Sequence, residues 1–116
     1  MGFTLYHNPN CGTSRNVLAT LREAGIEPQI VLYLKQSLDL AQLRALRDAL
    51  GEPARALLRS KEPLCAQLGL DDPALDDEAL LTAIARHPIL LNRPVVTSPH
   101  GARVCRPAEL VRQLLG

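Results

Sequence analysis

The 116-residue chain has no tryptophan, one phenylalanine, two tyrosines and one methionine. With aromatics at 3%, it offers no platform on which nucleobases could stack. Charge of one sign is also missing. Thirteen basic and twelve acidic residues leave a formal +1 at pH 7, so nothing draws nucleic acid or an anionic membrane globally, and any anion site must be local. No run approaches the ~18 apolar residues of a membrane span, and the N-terminus lacks a basic segment followed by a hydrophobic one. A soluble, cytoplasmic protein is expected. The three cysteines, Cys11, Cys65 and Cys105, are an odd set at irregular spacing, unlike a secreted disulfide framework or paired zinc ligands. Reduced thiols are the reading, and no metal is expected, since His7 and Cys11 form an isolated pair.

An apolar fraction of 47% in a chain this long is enough for one packed domain, residues 1–116. Phe3 to Tyr6 is β-prone. Val17, Leu18, Leu21 and Ala24 then recur at helical spacing, with Gly25 as the stop. Gln29 to Leu34 reads as a second, buried strand, completing a β-α-β start. Leucines at 40, 43, 46 and 50, with Asp39 as N-cap and Gly51 at the end, mark an amphipathic helix. Short helical pieces are expected at Pro53 to Leu58 and from Pro63 toward Leu68. A longer one runs from Asp76 to Arg86, so residues 36–91 form a helical insert. Val95 to Thr97 and Ala102 to Cys105 flank a Ser98-Pro99-His100-Gly101 turn, giving a hairpin. Pro107 at the first helical position opens a final helix with Leu110, Val111, Leu114 and Leu115 on its apolar face. The order βαβ, helices, ββα predicts a small α/β domain of the thioredoxin type.

The chemistry concentrates at His7-Asn8-Pro9-Asn10-Cys11-Gly12-Thr13-Ser14-Arg15. This loop joins the first strand to the first helix and places Cys11 near the N-cap, where unpaired backbone N–H groups favour an anion. Ser14 follows one turn later, and its hydroxyl is expected to donate toward the sulfur. A hydrogen bond to a charged group is worth about 1.5–3 kcal/mol, equivalent to a thiol pKa lowered by roughly one to two units. His7 and Arg15 could add to this. Cys-x-x-Ser lacks a resolving cysteine, so an external thiol is required. Arg93-Pro94 and Arg106-Pro107 form a second constellation, because a residue before proline is confined to extended backbone and launches its side chain in few directions. They suit a preorganised anion clamp, with Arg59 a possible third member. Cys65 and Cys105 read as packing residues. His87 at a helix end and His100 in a turn are given no catalytic part.

HNPNCGTSRN (His7 to Asn16), VLYLK (Val31 to Lys35), RALLR (Arg55 to Arg59), AQLGL (Ala66 to Leu70), HPILLNRPVV (His87 to Val96) and RVCRP (Arg103 to Pro107) span nearly the whole chain. Together they resemble the glutaredoxin-coupled arsenate reductases. The resemblance implies a thioredoxin-like fold with a helical insert, and attack by a Cys11 thiolate on As(V) to give an arseno-cysteine adduct. His7 and Ser14 would tune the thiolate, and Arg59, Arg93 and Arg106 would hold arsenate. Glutathione would be the co-substrate and glutaredoxin the protein partner, with no bound cofactor. A cis peptide before Pro94 is implied as well. Relatives often extend beyond the position of Gly116 with a polar tail, in which none of these motifs lies, so the chemistry is expected without it. Two alternatives stand beside this reading. One is a redox-sensing adaptor of RNA polymerase, against which Ser14 replaces the second cysteine of its Cys-x-x-Cys. The other is a glutathione-dependent thiol reductase acting on a different substrate.

Overall fold

A computed structural model describes residues 2–115, and the chain divides into two compact units, Met1–Gln36 with Arg93–Gly116, and Ser37–Asn92. The first unit holds a four-stranded mixed sheet in the order β2-β1-β3-β4. Its strands are β1 (Thr4–Tyr6), β2 (Gln29–Val31), β3 (Val95–Ser98) and β4 (Gly101–Val104). β1 runs parallel to β2, as the intervening helix α1 (Gly12–Glu23) requires, and antiparallel to β3, which turns back into β4. This is the thioredoxin-like βαβ and ββα order.

Period-two and helical patterning meet in one apolar cluster. Leu5 lies opposite Val96 across the sheet, and both pack with Val17 and Leu21 from successive turns of α1, Cys105, Val111 and Leu114. Burying each leucine or valine contributes roughly 1.5–3 kcal/mol. α1 ends at Glu23 with Ala24 as its C-cap, and Gly25 follows at a φ of 81°, which glycine adopts without strain.

Two expectations are corrected here. The second strand stops at Val31 rather than Leu34, because β1 ends at Tyr6 and the last cross-strand bond is His7 N–H to Val31 O (2.9 Å). Beyond the end of β1, residues 32–36 curl into a turn through Lys35 N–H and Gln36 N–H to Leu32 O. β2 is an edge strand and only partly buried. The final element is a 3₁₀ helix, Ala108–Leu114, not an α-helix opened by Pro107. Ala108, Val111 and Leu114, three residues apart, all face the core cluster, and a 3₁₀ turn stacks i on i+3.

The second unit is helical: α2 (Leu40–Leu50), α3 (Pro63–Gln67) and α4 (Asp77–Arg86), with 3₁₀ turns at Ala54–Leu57 and Pro88–Leu90. Asp39 caps α2 in a reciprocal box, its carboxylate accepting from Gln42 N–H (2.8 Å) and its N–H donating to Gln42 Oε1 (2.9 Å). Gly51 closes α2 at φ 74°. Asp76 caps α4 by accepting from Ala79 N–H. Leu43, Leu46, Leu57, Leu80, Leu81 and Ile84 are buried between these helices, and Arg44 and Arg47 of α2 pair with Glu78 and Asp77 of α4. Among the described residues no helix is long and apolar enough to cross a membrane.

Candidate active site

The loop between β1 and α1 is held by its own short-range bonds. Asn8 is buried, its side-chain oxygen accepts from Asn10 N–H (3.0 Å), and its carbonyl accepts from Cys11 N–H (3.0 Å). Arg15 reaches back from α1 to donate to Pro9 O (2.8 Å). Cys11 is thereby set as the N-cap of α1 with extended backbone, its carbonyl accepting the first helical bond from Arg15 N–H. The thiol is partly exposed, and the N–H groups of the first turn face it.

Partial burial disfavours the thiolate, but four groups outweigh it: the Ser14 N–H, the Arg93 side chain, the Thr13 N–H and the Arg106 side chain. Together they bring the Cys11 thiol from 9.0 down to about 7. Arg106 Nη1 lies 3.9 Å from the sulfur and also donates to the Arg93 carbonyl at 3.3 Å. Both arginines precede cis prolines, Pro94 and Pro107. Only the first of these bonds was implied by the resemblance. Arg93, just before β3, and Arg106, just after β4, are more than eighty residues from Cys11 in sequence, yet both act on its sulfur.

The part expected of the Ser14 hydroxyl is corrected. Ser14 is fully buried, and its Oγ is hydrogen-bonded to His7 Nδ1 at 2.5 Å and accepts from Asn8 N–H at 3.2 Å. It is the Ser14 backbone N–H, not the hydroxyl, that favours the thiolate. The hydroxyl ties the loop to the helix instead. His7 is buried too, and burial, followed by the nearby positive charges of Arg22 and Arg15, lowers its pKa. It therefore stands neutral at pH 7, bonded to Ser14, rather than as a cation beside the sulfur. Arg15, also expected to favour the thiolate, spends its guanidinium on Pro9 O.

Arg59 belongs to the second unit, where it is half-buried. Its N–H donates to Leu90 O (2.7 Å) beside the isolated bridge between Leu58 and Leu91, and its Nε lies 3.9 Å from Glu62 Oε2. Cys65 is buried and its pKa raised by that burial, while Cys105, in the core of the first unit, is pushed up to about 12. Neither is a nucleophile near neutral pH. His100 is exposed in the hairpin turn and His87 caps the end of α4. Sequence reasoning missed two contributors, Thr13 through its N–H and Asn8 through its bracing of the loop. The Asn-Pro-Asn run carried a signal for the second, since asparagine side chains close turns on backbone two residues on.

The pattern of the ArsC family matches residues 6–114 of this chain. An arsenate reductase of Rhizobium meliloti (strain 1021) is 52% identical over 115 residues, covering 99% of this chain and 82% of that protein. One from Escherichia coli is 44% identical over 112 residues, covering 97% and 79%. Among solved structures, an arsenate reductase from Vibrio cholerae superposes with a TM-score of 0.93 at 43% identity, covering 98% of each chain.

Proposed function

This chain belongs to the ArsC family, and from that premise we propose that it is an arsenate reductase whose nucleophile is Cys11. The observation carrying this is a thiol with a pKa of about 7 that is hydrogen-bonded by two guanidinium groups. At neutral pH about half of such a thiol is thiolate. The same arginines offer planar, bidentate donors to a tetrahedral oxyanion. Cys11 and the anion it attacks are then stabilised by one set of charges.

In the proposed reaction the Cys11 sulfur forms a bond to arsenic and one arsenate oxygen leaves as water, with no change of oxidation state. Arg93 and Arg106 hold the remaining oxygens, and Arg59, on its likeness to the family motif, is given the same task. The thiol of glutathione displaces a second oxygen, also as water. A glutaredoxin thiolate then attacks the glutathione sulfur. A sulfur–sulfur bond forms, the sulfur–arsenic bond breaks, and its electron pair stays on arsenic, which becomes As(III). Water releases arsenous acid and returns the Cys11 thiol. The Cys-x-x-Ser arrangement supports an external reductant, because Cys65 and Cys105 are buried with raised pKa values. His7 and Ser14 act as positioning residues, holding the loop so that the Ser14 and Thr13 N–H groups meet the sulfur. Three unpaired cysteines suit a reducing cytoplasm, where we place the protein.

Arsenate-dependent NADPH consumption with glutathione, glutathione reductase and glutaredoxin tests this reading. Wild type turns over and Cys11→Ser does not. Arsenate also protects Cys11 from alkylation, a protection that Arg93→Ala weakens and the exposed Arg112→Ala leaves intact. Turnover by Cys11→Ser, or no protection by arsenate, would overturn it.

A further inference from the structure

We propose that a cavity beside the Cys11 loop seats the glycyl end of the glutathione reductant, with Lys35 as the cationic contact of its carboxylate; this rests on the arsenate reductase reading above. The cavity, of about 250 Å³, is walled on one side by residues 8–10 and on the other by Leu32, Leu34 and Lys35. It exists because β1 and β2 part company. After the last bond between them, His7 N–H to Val31 O, one chain turns toward α1 while the other curls back on Leu32 O. The first wall is the turn that delivers the nucleophile, since Asn10 precedes Cys11 and the Cys11 N–H is bonded to Asn8 O.

The lining states the ligand's chemistry. It contains no acidic residue, and Lys35 is exposed at the rim. Leu34, 44% exposed, and Leu32 add an apolar surface. His7 also borders the cavity, but burial keeps its imidazole neutral. One cation next to apolar surface fits a short peptide with a terminal carboxylate better than a compact oxyanion, which calls for several donors at once. The lining ends at Asn10, the residue before Cys11, so a carboxylate held at Lys35 places the peptide along the loop that leads to the sulfur, where arsenic would be bonded. Glutathione, a carboxylate-bearing tripeptide thiol, is the occupant.

S-methylglutathione, which cannot react, is the direct probe. Titrated into the protein, it shifts the amide resonances of Leu34, Lys35 and Asn10. In turnover, Lys35→Ala raises the KM for glutathione about threefold and Lys35→Glu about tenfold, the range of an exposed ion pair lost and then reversed, with the KM for arsenate unchanged. Glutathione with its glycyl carboxylate esterified gives the same KM in wild type and Lys35→Ala. Resonance shifts confined to other surfaces, or a glutathione KM indifferent to Lys35→Glu, would overturn the inference. So would an equal rise in Arg112→Glu, which would reduce the effect to net charge. The function itself is read separately, by arsenate protection of Cys11. If protection fails, the reductase reading falls, while the S-methylglutathione titration still reports whether the cavity binds.

Discussion

Replacing Arg106 with alanine removes one of the two cations acting on the Cys11 sulfur while leaving both backbone N–H groups in place. Nη1 stands 3.9 Å from the sulfur on an exposed side chain, so solvent screens the pair. Unit charges about 4 Å apart interact by about 1 kcal/mol in water, equivalent to about 0.8 of a pKa unit. The thiol then rises from about 7 to roughly 7.8. At pH 7 the thiolate fraction drops from about one half to about one seventh. Intrinsic nucleophilicity moves the other way, with a Brønsted slope of about 0.4–0.5, so each thiolate becomes about twofold more reactive. Alkylation by iodoacetamide, followed across pH, is expected to slow about 1.6-fold at pH 7 and to plateau about twofold higher in alkali. The two profiles cross. Superimposable profiles, or a variant slower at every pH, would refute the electrostatic account of Arg106.

Ser14→Ala deletes the hydroxyl bonded to His7 and Asn8 but keeps the N–H that favours the thiolate. It is expected to cost about 1–3 kcal/mol in urea denaturation while moving the Cys11 midpoint less than Arg106→Ala does; a larger movement would restore the hydroxyl as the tuning group. Because the folded Cys11 pKa is depressed, the thiolate adds stability that is fully present above the unfolded pKa of 9.0 and fades as pH falls through about 7. The stability difference between wild type and Cys11→Ser is therefore expected to grow between pH 6 and 9.5, by about 1–2 kcal/mol at a thiol that solvent partly screens; a pH-independent difference contradicts the shift. Asp39→Ala removes the carboxylate that accepts from Gln42 N–H in the α2 capping box, leaving the backbone N–H that donates to Gln42 Oε1, and is expected to lower stability by about 1 kcal/mol with turnover unaffected, as read by denaturation and NADPH consumption.

Much of the fold was legible because its signals are local. Asp39 and Gly51 bracket α2 where a carboxylate cap and a left-handed glycine require, and the leucine spacing of α1 and α2 names the buried faces. The misread boundaries have non-local causes. Nothing in Gln29 to Leu34 announces that β1 runs out at Tyr6, and it is that shortage of partner that ends β2 at Val31. Leu110 and Leu115 suggested an α-helical stripe, but the contacts made by Ala108, Val111 and Leu114 favour the tighter turn. At the site, Cys11 stood out by its place before a helix, whereas the direction of the Ser14 hydroxyl depended on where His7 and Asn8 lie once folded.

By itself the sequence determined which side chains could react: a cysteine at a helix start, no second thiol in Cys-x-x-Ser, and arginines stiffened by the prolines that follow them. These follow from covalent geometry and short-range capping, which act between near neighbours in the chain. Only the tertiary structure decided that Arg93 and Arg106 converge on Cys11 and that His7 stands buried and neutral. Charge interactions fall off with distance through space, and only folding sets the distances between residues so far apart in sequence.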